Sequence, residues 1–228
     1  MITSAENQTL KLVRRLASAR QREKLGLFVC EGEDLVDAAR AAGVEPVELL
    51  VAGENVVPEL LADVSTLGHP PRVLGIFRRD DLPVAELPPV GLALWRVGDP
   101  GNVGALIRTA DALGPAFVAL SDGCADPTGP KAVRASMGAL FRVPLIRFEG
   151  APRPWVALVP RGGASIADVT GTTFVVGAER EGIPAEVLAR CDERATIPLA
   201  ERAESLNAAA AGAIALYERA RRRSTSGI

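Results

Sequence analysis

The stretch "VGLALWRVGDPGNVGALIRTADALG", Val90–Gly114, predicts a buried strand, a turn and a helix. Val90–Val97 is an apolar run of the length of a buried strand. After Asn102 the apolar residues recur at helical spacing, which predicts a helix over 102–113 that Gly114 can end. Such a turn gathers free backbone N–H groups where the helix begins, and α/β proteins commonly bind ligands there.

Strand and helix patterns alternate on both sides of this stretch. Upstream, we expect a basic helix over 7–20 and strands over 27–32, 47–52 and 72–77. Downstream, we expect strands over 116–121, 142–147, 155–159, 173–177 and 195–199, and a long helix over 204–222. Strands that alternate with helices predict a largely parallel sheet. The sequence thus predicts a small α/β domain over 1–80, a proline-rich linker over 81–90 and a larger α/β domain over 91–228.

Composition excludes several classes of protein. The chain has 228 residues, of which 48% are hydrophobic and 24% charged, as expected for a soluble globular protein. It contains no uncharged apolar run of membrane-spanning length, and its first residues lack the apolar core of a signal peptide. Three widely spaced cysteines and one histidine argue against a zinc site or a disulfide framework. We therefore expect a cytoplasmic protein without a metal.

The charge is distributed unevenly, although the net charge is only −2. Residues 31–90 hold 12 acidic and 4 basic side chains, so they carry −8 and the rest of the chain carries +6. Part of the basic excess lies near the start of the chain, at Lys11, Arg14, Arg15, Arg20, Arg22 and Lys24. Such a cluster is either a solvated helix face or an RNA-binding surface, and the pattern leaves both open.

Two common nucleotide-binding motifs are absent. The glycines at 98, 101 and 104 are spaced by three, so the turn lacks the GxGxxG of dinucleotide-binding folds, and no P-loop occurs in the chain. Taken alone, Asn102 reads as a helix cap and Arg108 as a surface residue paired with Asp111. No single residue of this turn identifies a function.

Three motifs taken in order are more informative. They are N-x-G-x-x-x-R-T from Asn102, G-x-E-x-x-G from Gly177, and I-P followed by S-L-N within Ile197–Asn207. Together they resemble the signature motifs of the SpoU/TrmH class of the SPOUT superfamily, which are S-adenosylmethionine-dependent RNA ribose 2′-O-methyltransferases. The N-terminal region is similar to the substrate-binding domain of many members, which itself resembles ribosomal RNA-binding proteins.

The resemblance implies a parallel-sheet domain with a C-terminal trefoil knot, a homodimer, and an active site near the dimer interface. By position, the cofactor pocket would contain Gly177, Glu179, Gly182, Ile197, Leu199, Leu206 and Asn207. The catalytic residues would be Asn102, Arg108, Glu179, Ser205 and Asn207. The substrate would be RNA, with rRNA favoured over tRNA because the N-terminal region resembles that of rRNA-modifying members. Members often have Met at the position of Leu199, a substitution that conserves volume.

The chemistry of this reaction suits these residues. The methyl sulfonium is already activated, so no metal is required, and the site must align the ribose 2′-oxygen with the methyl group. Arg108 can stabilise the forming alkoxide and bind an adjacent phosphate, but a guanidinium does not lose its proton in proteins. The proton acceptor stays open between a phosphate oxygen and a water held by Asn102 and Glu179. A catalytically silent RNA-binding protein and an enzyme with another nucleotide cofactor are the alternatives.

Overall fold

The computed structural model describes residues 1–84 and 86–225 as helices and strands arranged around two sheets. The helices are α1 Gln8–Leu16, α2 Ala19–Leu25, α3 Glu33–Ala41, α4 Pro58–Val64, α5 Pro100–Ala112, α6 Pro130–Ser136, α7 Ala185–Leu188 and α8 Ala208–Thr225. The strands are β1 Leu27–Glu31, β2 Glu48–Val51, β3 Val73–Arg78, β4 Gly91–Leu94, β5 Phe117–Leu120, β6 Leu145–Arg147, β7 Trp155–Leu158, β8 Ala164–Ser165, β9 Thr173–Val176 and β10 Glu193–Thr196. Within these described ranges, no helix is both long and apolar enough to cross a bilayer.

The N-terminal sheet has three antiparallel strands in the order β1-β3-β2. The single basic helix predicted over 7–20 is wrong, because the chain breaks between α1 and α2 at Ser18, whose backbone is extended. Arg22 of α2 donates hydrogen bonds to the carbonyl oxygens of Leu16 and Ala17, at 2.8 and 3.0 Å. These carbonyls end α1 and have no partner within a helix, so Arg22 stabilises the break.

The C-terminal sheet has seven strands in the order β6-β5-β4-β9-β7-β10-β8, and every pair is parallel. This confirms the prediction of a largely parallel sheet in an α/β fold. β4 is shorter than predicted, because the chain leaves the sheet at Trp95. The two-residue β8 was not predicted, since a strand of this length carries no periodic signal.

The last helix returns from the edge of this sheet to its centre. β10 lies beyond β7, whereas α8 packs against α5 and β9. Gly212 makes this packing close, because a Cβ there would lie 2.3 Å from Cδ2 of Leu106. Residues 197–207 connect β10 to α8. The predicted knot requires this connection to pass through a loop of the chain, and the knot stays a prediction.

The two sheets share a continuous apolar core. The rings of Phe28 and Phe77 in the N-terminal sheet pack against Phe141, with centroids 6.0 and 5.3 Å from it. All three side chains are buried. The sheets therefore form one packed body, on either side of the predicted linker 81–90, whose residue 85 lies outside the described residues.

Candidate active site

A cavity of about 390 Å³ opens at the carboxyl ends of β7, β9 and β10, next to the start of α8. Carboxyl ends of parallel strands are the usual ligand-binding edge of such sheets. Six of the seven predicted cofactor residues line the cavity, namely Gly177, Glu179, Gly182, Ile197, Leu199 and Leu206. Ser205, predicted as catalytic, also lines it, and Asn207 lies between two lining residues, Leu206 and Ala208.

The loop after β9 explains the G-x-E-x-x-G motif. Ala178 and Gly182 bond to each other through their backbones, with N–O distances of 3.2 and 2.9 Å, which closes a tight hairpin. Gly182 has φ +67°, a conformation that favours glycine. A Cβ at Gly177 would lie 2.3 Å from the carbonyl carbon of Gly182, so only glycine fits there. The two glycines therefore permit the backbone that forms one wall of the cavity.

A chain of side-chain hydrogen bonds joins the three sequence motifs beside the cavity. Asn102 Nδ2 donates to Glu179 Oε1 at 2.9 Å, and Asn207 Nδ2 donates to Asn102 Oδ1 at 3.1 Å. Asn102 and Asn207 are 105 residues apart in the chain. We call these three residues the polar triad. The structure thus brings together three of the five predicted catalytic residues, with Ser205 two residues from Asn207.

Glu179 also binds the backbone of the turn before α5. Its carboxylate accepts hydrogen bonds from the amides of Gly98 and Asp99, each at 3.3 Å. Partial burial works to raise the pKa of Glu179, but the hydrogen bonds from Asn102 and from these amides outweigh burial and lower the pKa. The Glu179 side chain is therefore an anion at neutral pH that fixes the orientation of Asn102.

Asp99, rather than Asn102, caps α5. Its carboxylate accepts from the Asn102 backbone amide at 2.9 Å, and Pro100 occupies the first turn of the helix. The reading of Asn102 as a cap is therefore wrong, and its side chain is left to bind Glu179 and Asn207. An Asp before a proline is a helix-start signal that sequence reasoning missed. Lys131 of α6 holds Asp99 from the other side, with Nζ 2.8 Å from Oδ2.

Asn207 begins α8. Its Oδ1 accepts from the backbone amides of Ala209 and Ala210, at 2.8 and 3.3 Å, so the helix starts at Ala208 and not at the predicted residue 204. Its Nδ2 is then directed at Asn102. One side chain therefore caps the last described helix and joins the polar triad. Ser205 stays in the preceding irregular segment and is exposed.

Arg108 lies outside the polar triad. It is exposed on α5, six residues beyond Asn102, and its guanidinium makes no hydrogen bond or ion pair with residues 1–84 or 86–225. The predicted pairing with Asp111 is wrong, since Asp111 binds Arg142 through two guanidinium nitrogens, the shorter contact being 2.7 Å. The guanidinium of Arg108 is thus free to bind a ligand.

The basic cluster divides into paired, buried and exposed residues. Lys11 and Arg14 form ion pairs with Glu6 and Asp63, and Arg15 bonds to Gln21. Arg20 and Lys24 are exposed. Arg22 is only 4% exposed, so its assignment as an RNA contact is wrong. Its guanidinium binds Asp126 of the C-terminal domain, because a buried cation requires an anionic partner.

Other lining residues were missed by sequence reasoning. Leu158 ends β7, Val159 and Pro160 follow it, and Ala195 lies in β10. Their positions at the carboxyl ends of parallel strands were the only available signal. The predicted strand over 195–199 ends instead at Thr196, and Ile197 and Leu199 beyond it line the cavity. Within the described chain, no group of three or more His, Cys, Asp and Glu residues is arranged to hold a metal ion.

Comparisons with known proteins agree with this arrangement. The chain is 31% identical to the Bacillus subtilis 23S rRNA (guanosine(2553)-2′-O)-methyltransferase RlmP, over 95% of this chain and 97% of that protein. Its structure resembles the AdoMet-bound crystal structure of the SpoU methyltransferase AviRb from Streptomyces viridochromogenes, with a TM-score of 0.86. The two sequences are 26% identical, and the match covers 96% of this chain and 99% of that one. An AdoMet-bound rRNA methyltransferase from Sinorhizobium meliloti superposes with a TM-score of 0.84 at 30% identity, covering 97% of both chains.

Family comparison divides the chain in the same way as its two sheets. Residues 7–74 match the MRM3-like substrate binding domain. Residues 89–217, which contain the polar triad and the cavity, match the SpoU rRNA Methylase family. The chain therefore belongs to the SpoU rRNA Methylase family.

Proposed function

We propose that this chain transfers the methyl group of S-adenosylmethionine to a ribose 2′-oxygen of RNA, and that its substrate is rRNA rather than tRNA. The observation that carries the proposal is the polar triad, which joins all three sequence motifs beside the cavity. The family match and the rRNA 2′-O-methyltransferase named above support the same reaction and substrate class.

The cavity suits S-adenosylmethionine in size and chemistry. Its volume of about 390 Å³ lies in the range of small-molecule sites. Leucine and isoleucine side chains can hold the adenosine, while the carboxylates of Glu179 and Glu181 border the cavity and favour a cationic ligand. When bound, S-adenosylmethionine supplies a methyl group on a positively charged sulfur, which leaves as a neutral thioether.

The polar triad and its neighbours orient the ribose. The Asn102 amide is fixed from both sides, by Glu179 and Asn207, so its position is set before RNA binds. The Ser205 hydroxyl lines the same cavity and can bind the ribose. Arg108 stabilises the forming alkoxide and binds a neighbouring phosphate. We therefore assign the catalytic roles to the residues that the resemblance implies, namely Asn102, Arg108, Glu179, Ser205 and Asn207.

The proton acceptor is not the Glu179 carboxylate. Its oxygens already accept three hydrogen bonds, and its lowered pKa makes it a weak base at neutral pH. The ribose proton therefore passes to a phosphate oxygen of the RNA or to a water molecule held by Asn102 and Glu179.

We propose a cytoplasmic homodimer as the working form. Within one chain Arg108 forms no hydrogen bond with the polar triad, which fits an active site near the interface between two copies. The exposed cations Arg20 and Lys24 of the N-terminal domain are available for RNA phosphates, together with the half-exposed Lys11 and Arg14. These contacts account for RNA binding by a chain with a net charge of only −2.

The first test is transfer of radiolabel from S-adenosylmethionine to unmodified rRNA and, separately, to unmodified tRNA. We expect label in a 2′-O-methylnucleoside from rRNA. Label from tRNA alone would contradict the substrate class. Cofactor binding without transfer to either RNA would favour the catalytically silent RNA-binding protein, and absence of cofactor binding would exclude the methyltransferase.

Arg108→Ala tests the role of the guanidinium. We expect unchanged affinity for S-adenosylmethionine, since Arg108 does not line the cavity, and a fall in kcat of about 100-fold or more, as for loss of an oxyanion donor. Arg108→Lys, which keeps the charge, is the matched control and should retain part of the activity. Full turnover by Arg108→Ala would remove Arg108 from the mechanism.

A further inference from the structure

Arg96 has a backbone conformation that is unusual for its residue type. Its φ is +52°, and among the described residues only Met137 is a second non-glycine residue with positive φ. This left-handed region is unfavourable for residues with a Cβ and is populated mainly by glycine. Non-glycine residues in this region cluster at functional sites, which makes Arg96 a candidate for a function.

Hydrogen bonds and burial fix the backbone around Arg96. The Trp95 amide donates to the carbonyl oxygen of Val176 at 2.8 Å, and the Arg96 amide donates to Ser121 Oγ at 2.9 Å. Val97 is fully buried. The chain must therefore turn sharply at residue 96, and the turn directs the Arg96 side chain into solvent.

The Arg96 side chain packs against Gly123. A Cβ at residue 123 would lie 3.3 Å from Cγ and 3.6 Å from Nε of Arg96, so the missing side chain leaves room for the arginine. The guanidinium forms no ion pair or hydrogen bond within residues 1–84 and 86–225, and the neighbouring exposed Asp122 does not pair with it. A cation is thus held in place without an intramolecular partner.

Arg96 lies between the polar triad and the loop that contacts the N-terminal domain. It precedes by two residues Gly98, whose amide binds Glu179 of the polar triad. The loop of Gly123 continues to Asp126, which pairs with Arg22 and Arg79 of the N-terminal domain. RNA that contacts the N-terminal domain and presents a ribose to the triad would pass along this loop.

We infer that Arg96 binds a backbone phosphate of the RNA substrate next to the target ribose. The inference rests on the proposed function, since it needs an RNA substrate at the triad. A guanidinium offers paired donors that match phosphate oxygens, and phosphate contacts set the register of a nucleic acid on a protein. Arg96 is thus a positioning residue that aligns the ribose, and it takes no part in bond making.

The test compares substitutions that separate charge from backbone strain. Arg96→Gly and Arg96→Asn remove the guanidinium and suit positive φ, whereas Arg96→Lys keeps the charge. Met137→Gly relieves the same kind of strain elsewhere and is the backbone control. Binding to in vitro transcribed 23S rRNA is measured at several salt concentrations, with Tm and S-adenosylmethionine affinity measured in parallel.

We expect Arg96→Gly and Arg96→Asn to weaken rRNA binding about tenfold and to lower the salt slope by about one unit, as for loss of one phosphate contact. Tm should not fall, cofactor affinity should not change, and Arg96→Lys should restore most of the binding. Unchanged binding and slope in both neutral variants would overturn the inference and leave the proposed function intact. A wild-type chain that binds cofactor but no RNA would overturn both.

Discussion

The ion pair between Arg22 and Asp126 joins the two domains and gives the strongest stability prediction. Arg22 Nε and Nη2 each lie 2.8 Å from Asp126 Oδ2, and the two side chains are only 5% and 19% exposed. The other carboxylate oxygen, Oδ1, accepts from the amide and hydroxyl of Thr128 at 2.9 and 2.7 Å. Asp126→Asn can keep the Thr128 contacts, but its NH₂ group would face two guanidinium donors.

We expect Asp126→Asn to lower the free energy of unfolding by about 3 kcal/mol, the lower end for a buried ion pair that loses one partner. The lower end applies because Arg22 keeps its two carbonyl acceptors at the end of α1. For a chain of this length the loss corresponds to a fall in Tm of about 6–12 °C.

Urea unfolding followed by far-ultraviolet circular dichroism and by tryptophan fluorescence is the suitable assay. Both tryptophans, Trp95 and Trp155, lie in the C-terminal domain, so fluorescence reports that domain separately. Glu54→Gln removes an exposed partner of Arg72 and is the matched control, with an expected loss under about 0.5 kcal/mol. A loss below about 1 kcal/mol in Asp126→Asn would refute the reasoning.

Three further changes test the site. Asn207→Ala should cost about 1 kcal/mol of stability and most of the turnover, whereas Asn7→Ala, which removes the cap of α1, should cost similar stability without loss of activity. Gly177→Ala should weaken S-adenosylmethionine binding in calorimetry at least tenfold, because its Cβ meets the backbone of Gly182, and undiminished binding would contradict this view of the loop. The lowered pKa of Glu179 contributes stability that is complete above the ordinary pKa of 4.5 and is lost as pH falls through the lowered pKa. Glu179→Gln lacks this contribution. Its urea midpoint should therefore fall less steeply in acid than the midpoint of the wild type.

Periodicity identified the central elements of the fold but not their ends. The helix predicted over 102–113 is observed as Pro100–Ala112, because the Asp99 side chain begins it earlier. The helix predicted from residue 204 begins only at Ala208, because Asn207 caps it. Both differences arise from side-chain capping, which changes helix ends without altering the apolar spacing on which the prediction rests.

The site was predictable as a set of motifs but not as a network. Composition assigned Arg22 to a basic surface, and only its tertiary contact with Asp126, 104 residues away, shows that it is buried. Nothing local to Asn102 indicated that its side chain would bind Glu179, since the two are 77 residues apart. Side-chain contacts between residues so far apart in the chain depend on the order of the strands in the sheet. The spacing of apolar residues along the sequence does not determine that order.

The bond between Asn207 and Asn102 has a consequence for biosynthesis. Asn102 lies near the middle of the chain, whereas Asn207 immediately precedes the last described helix. During translation the N-terminal domain and the first strands of the large sheet emerge and can fold before α8 exists. The polar triad is therefore completed only after residue 207 and the helix that it caps have left the ribosome. A nascent chain whose α8 has not yet emerged, beside abundant rRNA, is consequently without its assembled site.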